Sequence, residues 1–394
     1  MTSTPKMPII VQVCTRYVDL ARETGGVSNS VREICLGLEK RGIRTIVVCG
    51  NRQRGAPAGP TGHFTVSPFL EMFVVPQRGH PVLGPTGHVR EYLASLREPW
   101  MGHVHACFSA LTEAAMHYMR HKNIPYVFTP RGKLSPEFLV QHRLAKSLWW
   151  MLCARHAVKD AATIAVQSRG ESRGFSSLGL PEKFHVVPNG YRMAGSMDCH
   201  RRKPRVIDEP YIMFLGPLDP RKQPDLLVRA YGKSRARLSH KLVIVGPDSY
   251  GYKGKVVDAI DRLKLRDRVV LFGPAYGEEK WHILSQARCL CLPSRAEGFP
   301  LVLCEALGAG LPMIISRECN FAEAAEAGAA VQVETLEESA WARAMDEVCL
   351  HDEVHGTMVA AAQRLAEGYT WEHVIDMWVE IYRFLARERA GGCQ

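Results

Sequence analysis

The chain has 394 residues, 46% of them hydrophobic and 23% charged, an ordinary soluble composition on a length that exceeds what one core usually serves, so two domains are expected. No stretch reaches the apolar length of a membrane-spanning helix. A net charge of +10 and a pI of about 9.0 admit nucleic acid, an anionic membrane or phosphorylated substrates, and select none of them.

The N-terminus, Met1 to Pro8, is short and polar and carries no secretory n-region or h-region. Twelve cysteines are scattered without a metal spacing. Cys14, Cys35, Cys49 and Cys289 fall in apolar patterns and read as buried thiols of a reducing compartment. The apolar run Ile9 to Cys14 predicts a first strand. Gly25-Gly26 then precedes a helix with Val27, Val31, Ile34, Cys35 and Leu38 at a period near 3.6, and Ile43 to Cys49 predicts the next strand. Strand, glycine turn, helix and strand make a βαβ unit, and the glycine pair would set backbone N–H groups at a helix start, where a phosphate could sit.

Gly50 to Pro85 is rich in Gly, Pro and Arg and reads as loops around edge strands at Thr65 to Ser67 and Met72 to Val75. Val89 to Leu96 predicts a short helix, His103-Val-His105 a strand end, Thr112 to His121 a helix, and Tyr126 to Thr129 a strand running into Pro130-Arg131-Gly132. Ala162 to Val166 is a further strand, followed by a helix near Arg169 to Ser177 and the strand Phe184 to Val187 before Pro188-Asn189-Gly190. Tyr191 to Glu209 has few apolar positions and holds Arg201-Arg202-Lys203-Pro204-Arg205, the marks of a domain linker.

The second half repeats the alternation: strands at Tyr211 to Leu215, Lys241 to Val245, Val269 to Phe272, Cys289 to Leu292 and Pro312 to Ser316, with helices between them and after them. Strands and helices alternating through both halves predict an α/β protein with two parallel sheets. The last helix places Trp371, Ile375, Trp378, Tyr382 and Leu385 near one face. The stretch Pro293 to Pro312 carries Arg295, Glu297 and Gly298 in a turn after a strand and Glu305 in the next helix. Open α/β sheets bind ligands at the carboxyl ends of their strands, so two acids beside a glycine and a helix start suggest a ligand with hydroxyls and phosphates. A solvated loop and an ordinary surface glutamate would give the same spacing.

The two glutamates, with seven residues between them, resemble the acid pair of the family-4 glycosyltransferases, retaining enzymes of the two-Rossmann-domain type called GT-B. The resemblance covers nearly the whole chain: the Gly25-Gly26 loop, the His-x-His strand, the strand ending in Thr129-Pro-Arg-Gly, and Pro188-Asn189-Gly190 come in the family's order. It implies an α/β GT-B fold, two Rossmann-like domains with parallel sheets facing across a cleft. Residues 1–200 would be the acceptor-side domain, 201–370 the nucleotide-sugar domain, and 371–394 a helix crossing back to the first.

The resemblance also implies roles. Gly25 and Gly26 would lie against the donor's diphosphate or position the acceptor. His105, rather than His103, would contact the sugar hydroxyls, although a histidine there could equally be a satisfied core residue. Lys222, in the turn after Tyr211 to Leu215, would meet phosphate, with Arg221 adjacent. Glu297 would orient the transferred sugar and Glu305 would accept from the ribose hydroxyls. Phe272-Gly273-Pro274-Ala275 would give the base a backbone edge, and Arg131 would meet the acceptor or the sugar. The family places an arginine after the glycine of the Lys222 turn. This chain has Pro217, so Arg295 or Arg221 is expected to compensate, unless the donor differs or the chain is a catalytically impaired binding protein.

No Asp-x-Asp occurs to hold a divalent metal at the diphosphate, and no cofactor is expected beyond a UDP-, GDP- or ADP-sugar donor. The expected activity is transfer of a hexose or N-acetylhexosamine to a hydroxyl of a glycan, lipid-linked or small-molecule acceptor, as in polysaccharide biosynthesis. A sugar-nucleotide 2-epimerase or a sugar phosphorylase shares the frame. A nucleic-acid-binding module would suit the charge but lacks zinc-finger, basic-zipper and RNA-binding aromatic motifs. The expected setting is cytoplasmic. Between Arg131 and Arg205 stand fourteen Lys or Arg and five Asp or Glu, a balance of +9 around Leu144-Ala-Lys-Ser-Leu-Trp-Trp-Met-Leu-Cys153. That pattern reads either as a peripheral helix on the cytoplasmic face of an anionic membrane, its tryptophans at the headgroups, or as a helix whose Leu148, Trp149 and Leu152 pack on the sheet.

Overall fold

A run such as Ile-Ile-Val-Gln-Val-Cys has no polar–apolar alternation, which suits a strand covered on both faces, and all six of its residues are buried. The computed structural model describes residues 7–21, 26–52, 58–77, 87–140, 143–181, 184–193, 197–248 and 250–391. The chain divides into two units, Met1–Pro188 with Trp371–Gln394, and Asn189–Thr370. The division falls at Pro188 rather than after residue 200.

In the first unit the strands are β1 (Ile9–Cys14), β2 (Thr45–Gly50), β3 (Gly62–Ser67), β4 (Leu70–Val75), β5 (Trp100–His105), β6 (Tyr126–Thr129), β7 (Thr163–Val166) and β8 (His185–Val186). Their order is β3-β4-β2-β1-β5-β6-β7-β8. All neighbours are parallel except β3, which runs antiparallel to β4. The expected pair of edge strands is therefore one edge strand, β3, and one interior strand, β4. The order reverses between β1 and β5, whose register sets Gln12 beside His103 and Cys14 beside His105. Thr129 of β6 lies beside His105.

The helix Gly26–Lys40 packs its apolar stripe inward, and the terminal helix Trp371–Gly391 lies against it. A side chain at Gly37 would collide with Ile375, so the absence of a Cβ there sets how closely the two helices approach. Arg41 secures the far end, with Nη2 2.5 Å from Asp376 and donating 2.9 Å to the Glu372 carbonyl. The segment expected as a helix over Arg169 to Ser177 is instead two 3₁₀ turns, Arg169–Gly174 and Ser176–Leu178.

In the second unit the strands are β9 (Tyr211–Leu215), β10 (Lys241–Val245), β11 (Val269–Gly273), β12 (Cys289–Leu292), β13 (Met313–Ser316) and β14 (Ala330–Val333), all parallel, in the order β11-β10-β9-β12-β13-β14. Its topological switch point lies between β9 and β12. The core is one cluster around Tyr211, Phe214, Tyr231, Trp341 and Met345. β14 escapes prediction because Ala-Val-Gln-Val is only four residues long and is interrupted by Gln332. Residues 197–206 are not a free linker: Met197–Arg202 is helical, His282 bonds the carbonyls of His200 and Pro204, and Gln286 accepts from the Val206 N–H.

Candidate active site

The turns that follow β9 and β12 leave the sheet side by side, because these strands are neighbours at the switch point. After β9, the Asp219 carbonyl accepts from the N–H groups of Lys222 and Gln223, and Gln223 takes a left-handed φ of 50° before the helix Pro224–Lys233. This tight turn brings Lys222 Nζ to 2.6 Å from Glu297 Oε1. Both side chains are largely buried, 16% and 15% exposed, yet neither is sealed from solvent. The turn after β10 is pressed against the same place. Gly246 has φ +151°, and a Cβ on it would strike the Gly216 carbonyl.

The Glu297 loop is held from several sides. Ser294 Oγ donates to Glu297 Oε1 at 2.8 Å. Ser316 Oγ donates to the Ser294 carbonyl at 2.6 Å. Asn320 Nδ2 donates to the carbonyls of Glu297 and Gly298. Asn189 Nδ2 donates to the Phe299 carbonyl, and Cys304 Sγ donates to the Asn189 carbonyl. The loop is thus fixed before any ligand arrives. The helix Leu301–Gly308 starts after Pro300 with no side-chain cap; the Leu303 N–H donates to the Pro300 carbonyl at 3.1 Å, and a helix start of this kind can receive an anion.

On that helix Glu305 Oε1 lies 2.7 Å from Lys280 Nζ, with Lys280 8% and Glu305 17% exposed. Lys280 was not anticipated. Its neighbours Glu278 and Glu279 give it the look of a solvated charge run, and only the packing of the helix Gly277–Gln286 buries it. Arg221 does not sit on the acid pair. Its guanidinium closes on Asp219 at 2.6 Å and donates to the Tyr250 hydroxyl at 3.2 Å. The Arg221 carbonyl accepts the Arg295 N–H at 2.7 Å, and the Arg295 side chain is exposed. Gly273 ends β11 at φ +88°, its carbonyl accepting the Gly246 N–H.

In the first unit His105 and Arg131 come together. The ring of His105 is fully buried. Arg131 Nε and Nη2 donate to His105 Nδ1 at 3.3 and 3.1 Å, and His105 Nε2 lies 2.7 Å from Gln12 Oε1. Both ring nitrogens have protein partners in this arrangement, so a sugar hydroxyl reaching His105 would displace one of them. Burial first, then the charges of His103 and Arg131, hold the imidazole well below its usual pKa. Arg131 has a left-handed φ of 54°. Glu171, wholly buried, fixes that turn by accepting the N–H groups of Gly132 and, at 2.7 Å, Gln167. Burial lowers the Arg131 guanidinium to about 10. Gly26 opens its helix at φ +53°, and Gly25 lies outside the described residues.

The helical stretch of residues 143–159 splits its expected partition. Trp150 is buried and Trp149 donates from Nε1 to Glu113 at 3.2 Å, so the tryptophans face inward. Val140, Leu144, Leu148, Met151 and Leu152 are exposed, Leu144 by 88% and Leu152 by 70%. Cys14, Cys35, Cys49 and Cys289 are buried as free thiols. Among the described residues no group of three or more His, Cys, Asp or Glu is placed to hold a metal ion, and no helix is long and apolar enough to cross a membrane.

Two α/β units with an acid–lysine pair at a sheet switch point define a class, and comparison gives the family. Residues 24–194 match the model for Glycosyltransferase Family 4, and residues 198–365 match that for Glycosyl transferases group 1. The chain belongs to the family-4 glycosyltransferases and has the GT-B fold. It is 24% identical over 423 residues to the D-inositol 3-phosphate glycosyltransferase of Acidothermus cellulolyticus, covering 98% of this chain and 92% of the relative. Against the enzyme of the same name from Stackebrandtia nassauensis the identity is 27% over 224 residues, 53% of this chain and only about half, 51%, of the relative. Among solved structures, sucrose-phosphate synthase from Thermosynechococcus elongatus superposes with a TM-score of 0.77 at 18% identity, covering 97% of this chain and 100% of that one. Anabaena HepE in complex with UDP and glucose gives 0.73 at 16% identity, covering 95% and 99%.

Proposed function

We propose that the chain is a retaining glycosyltransferase that moves a hexose or N-acetylhexosamine from a UDP-, GDP- or ADP-sugar to an acceptor hydroxyl. The observation that carries this reading is the Lys222–Glu297 pair at the switch point between β9 and β12. An ammonium there suits a phosphate on which charge grows as the sugar leaves. Glu297, released from the ammonium by that phosphate, would accept from sugar hydroxyls, and Glu305 from the ribose. Arg295, exposed and anchored through its N–H, is better placed than Arg221 to replace the cation missing at Pro217, because Arg221 is committed to Asp219. HepE holds UDP-glucose in a further structure, which favours a uridine donor.

Retention fits front-face attack. The acceptor oxygen bonds to the anomeric carbon on the side the phosphate leaves, and the phosphate takes the acceptor proton. The buried acids described above in the first unit, Glu113 and Glu171, are engaged with loop N–H groups or Trp149, which suits neither to the nucleophile's role in a double displacement. Arg131 would meet the acceptor or the sugar. The relatives named for D-inositol 3-phosphate and the +9 balance of residues 131–205 together favour an anionic acceptor. A second reading, that the first unit works on an anionic membrane surface, is favoured by the exposed leucines of residues 144–152 beside exposed Arg155 and Lys159.

Calorimetric screening of nucleotide sugars tests the reading. Binding of one of them, and transfer from it to an acceptor without added phosphate, is expected. An epimerase would convert the free donor with no acceptor, and a phosphorylase would need phosphate. No binding of any UDP-, GDP- or ADP-sugar would overturn the assignment.

A further inference from the structure

We propose that Tyr382, on the terminal helix, is a positioning residue that acts through Gln12 and His105 to hold the guanidinium of Arg131. The inference rests on the reading of Arg131 as a group that meets the acceptor or the sugar. It comes from following the protons. A guanidinium only donates, so His105 Nδ1, 3.1 Å from Arg131 Nη2, is the bare nitrogen of a neutral ring. The ring proton is then on Nε2, which donates to Gln12 Oε1 at 2.7 Å. The other end of that amide, Nε2, donates to the Tyr382 hydroxyl at 3.1 Å. The hydroxyl, accepting there, keeps its own proton to donate to His103 Nδ1, 2.7 Å away, and that assignment leaves His103 Nε2 to donate to Thr129 Oγ1 at 2.9 Å.

Arg131 orients the His105 ring and, through it, the Gln12 amide, and Tyr382, which accepts from that amide, supports the same direction from the other end. Gln12, His103, His105, Thr129 and Tyr382 are all fully buried, so water cannot replace a lost partner cheaply. The chain crosses β1, β5 and β6 and ends on a helix that reaches the unit some 180 residues further along the sequence, at Trp371–Gly391. Burial favours neutral rings at both histidines, so the relay carries direction without charge.

Removing the Tyr382 hydroxyl takes the acceptor from the Gln12 amide and the donor from His103. The amide can then turn over and offer N–H to His105 Nε2. The His105 proton moves to Nδ1, and two donors, ring N–H and guanidinium, oppose each other. Arg131 is displaced although nothing touching it has been changed.

The test uses the full chain with ¹⁵N-labelled histidine, recorded without substrate, and the His105 signals assigned from a His105→Asn spectrum. In the native protein Nε2 is expected to carry the His105 proton. In Tyr382→Phe, which keeps the ring packing, the proton is expected to move to Nδ1 or to exchange between the two, with turnover falling about 10- to 100-fold. Gln12→Glu, which accepts at both ends, is expected to leave His105 as it is and to move the His103 proton to Nδ1; this second variant keeps the proposal testable if Tyr382→Phe does not fold. A native His105 protonated on Nδ1, an unchanged tautomer in Tyr382→Phe, or a changed tautomer with full turnover would each overturn the proposal. The tautomer readout needs no donor, so its failure is distinct from a failure of the transferase reading, which the donor screen reports.

Discussion

Lys222 Nζ and Glu297 Oε1 stand 2.6 Å apart at the carboxyl ends of two adjacent parallel strands. In the unliganded protein each neutralises the other, so a phosphate must compete for the ammonium and in doing so frees the acid. The two residues should therefore fail differently. Lys222→Met is expected to weaken donor binding by about 1.5–3 kcal/mol, the range for a hydrogen bond to a charged group. Glu297→Gln keeps the Ser294 bond and should leave donor affinity within about threefold while lowering turnover by roughly 10²–10³. Calorimetry and initial rates separate the two, and native values for both variants would discard the pair as the reacting centre.

The second pair makes a compound prediction. Glu305→Gln removes a charge-assisted bond to the ribose, expected to cost about 1–3 kcal/mol of donor affinity. It also takes the Glu305 carboxylate away from the Lys280 ammonium, 8% exposed, and removing one side of such a pair is destabilising. The melting temperature should fall with the single change and recover in the double variant Lys280→Met, Glu305→Gln, while donor affinity stays low. If the double variant binds donor like the native chain, Glu305 has only a structural role.

What the sequence disclosed follows from what is local. β1, β6, β9, β10 and β12 are compact apolar runs ended by turn residues, and each lies where the pattern places it. The acid spacing and Lys222 are legible because a turn and a helix fix them within a short stretch. The partners were not legible. Lys280 meets Glu305 across 25 positions, Asn320 holds the Glu297 loop across 23, and Tyr382 reaches His103 across 279. Such contacts depend on sheet order, which no local pattern encodes. The partners of His105, Gln12 and Arg131, were hidden for the same reason, since they meet it only through the tertiary fold.

Burial of Glu113 should give the chain a pH dependence whose sign follows from the direction of its shift. Its carboxyl is buried, and burial pushes it up from 4.5 to about 7 against the opposing bonds from Trp149 Nε1 and the Phe108 N–H. Between those two values the folded state holds a proton that the unfolded state has released, so stability falls as pH rises through that window. Denaturant unfolding at pH 5 and pH 8 should show a loss on the order of 2 kcal/mol from this group. Glu113→Gln, which still accepts both bonds at its carbonyl oxygen, should flatten that part of the profile. An unchanged pH slope in Glu113→Gln would show that another group sets it.

The last prediction concerns the outward face of residues 140–152. Leu144, Leu148, Met151 and Leu152 are exposed while Trp149 and Trp150 hold the helix to its unit. Leucines, rather than the tryptophans, are thus the groups free to enter a bilayer. Lys146 is partly spent, lying 3.5 Å over the Phe138 ring and donating to the Phe138 carbonyl, so Arg155 and Lys159, both exposed, should supply more of the attraction to anionic lipid. Each basic residue near such a surface is worth about 1 kcal/mol, and salt reduces that share within a Debye length. Flotation with vesicles of phosphatidylserine and phosphatidylcholine should therefore show binding at low salt that weakens at high salt. Arg155→Glu with Lys159→Glu should weaken it further and remove its salt dependence, and Leu144→Ser with Leu152→Ser should abolish binding at either salt because the apolar insertion is lost. A protein that stays with the unbound fraction at low salt would end the membrane reading and leave the exposed leucines to be covered by something else, with donor binding by the second unit unaffected.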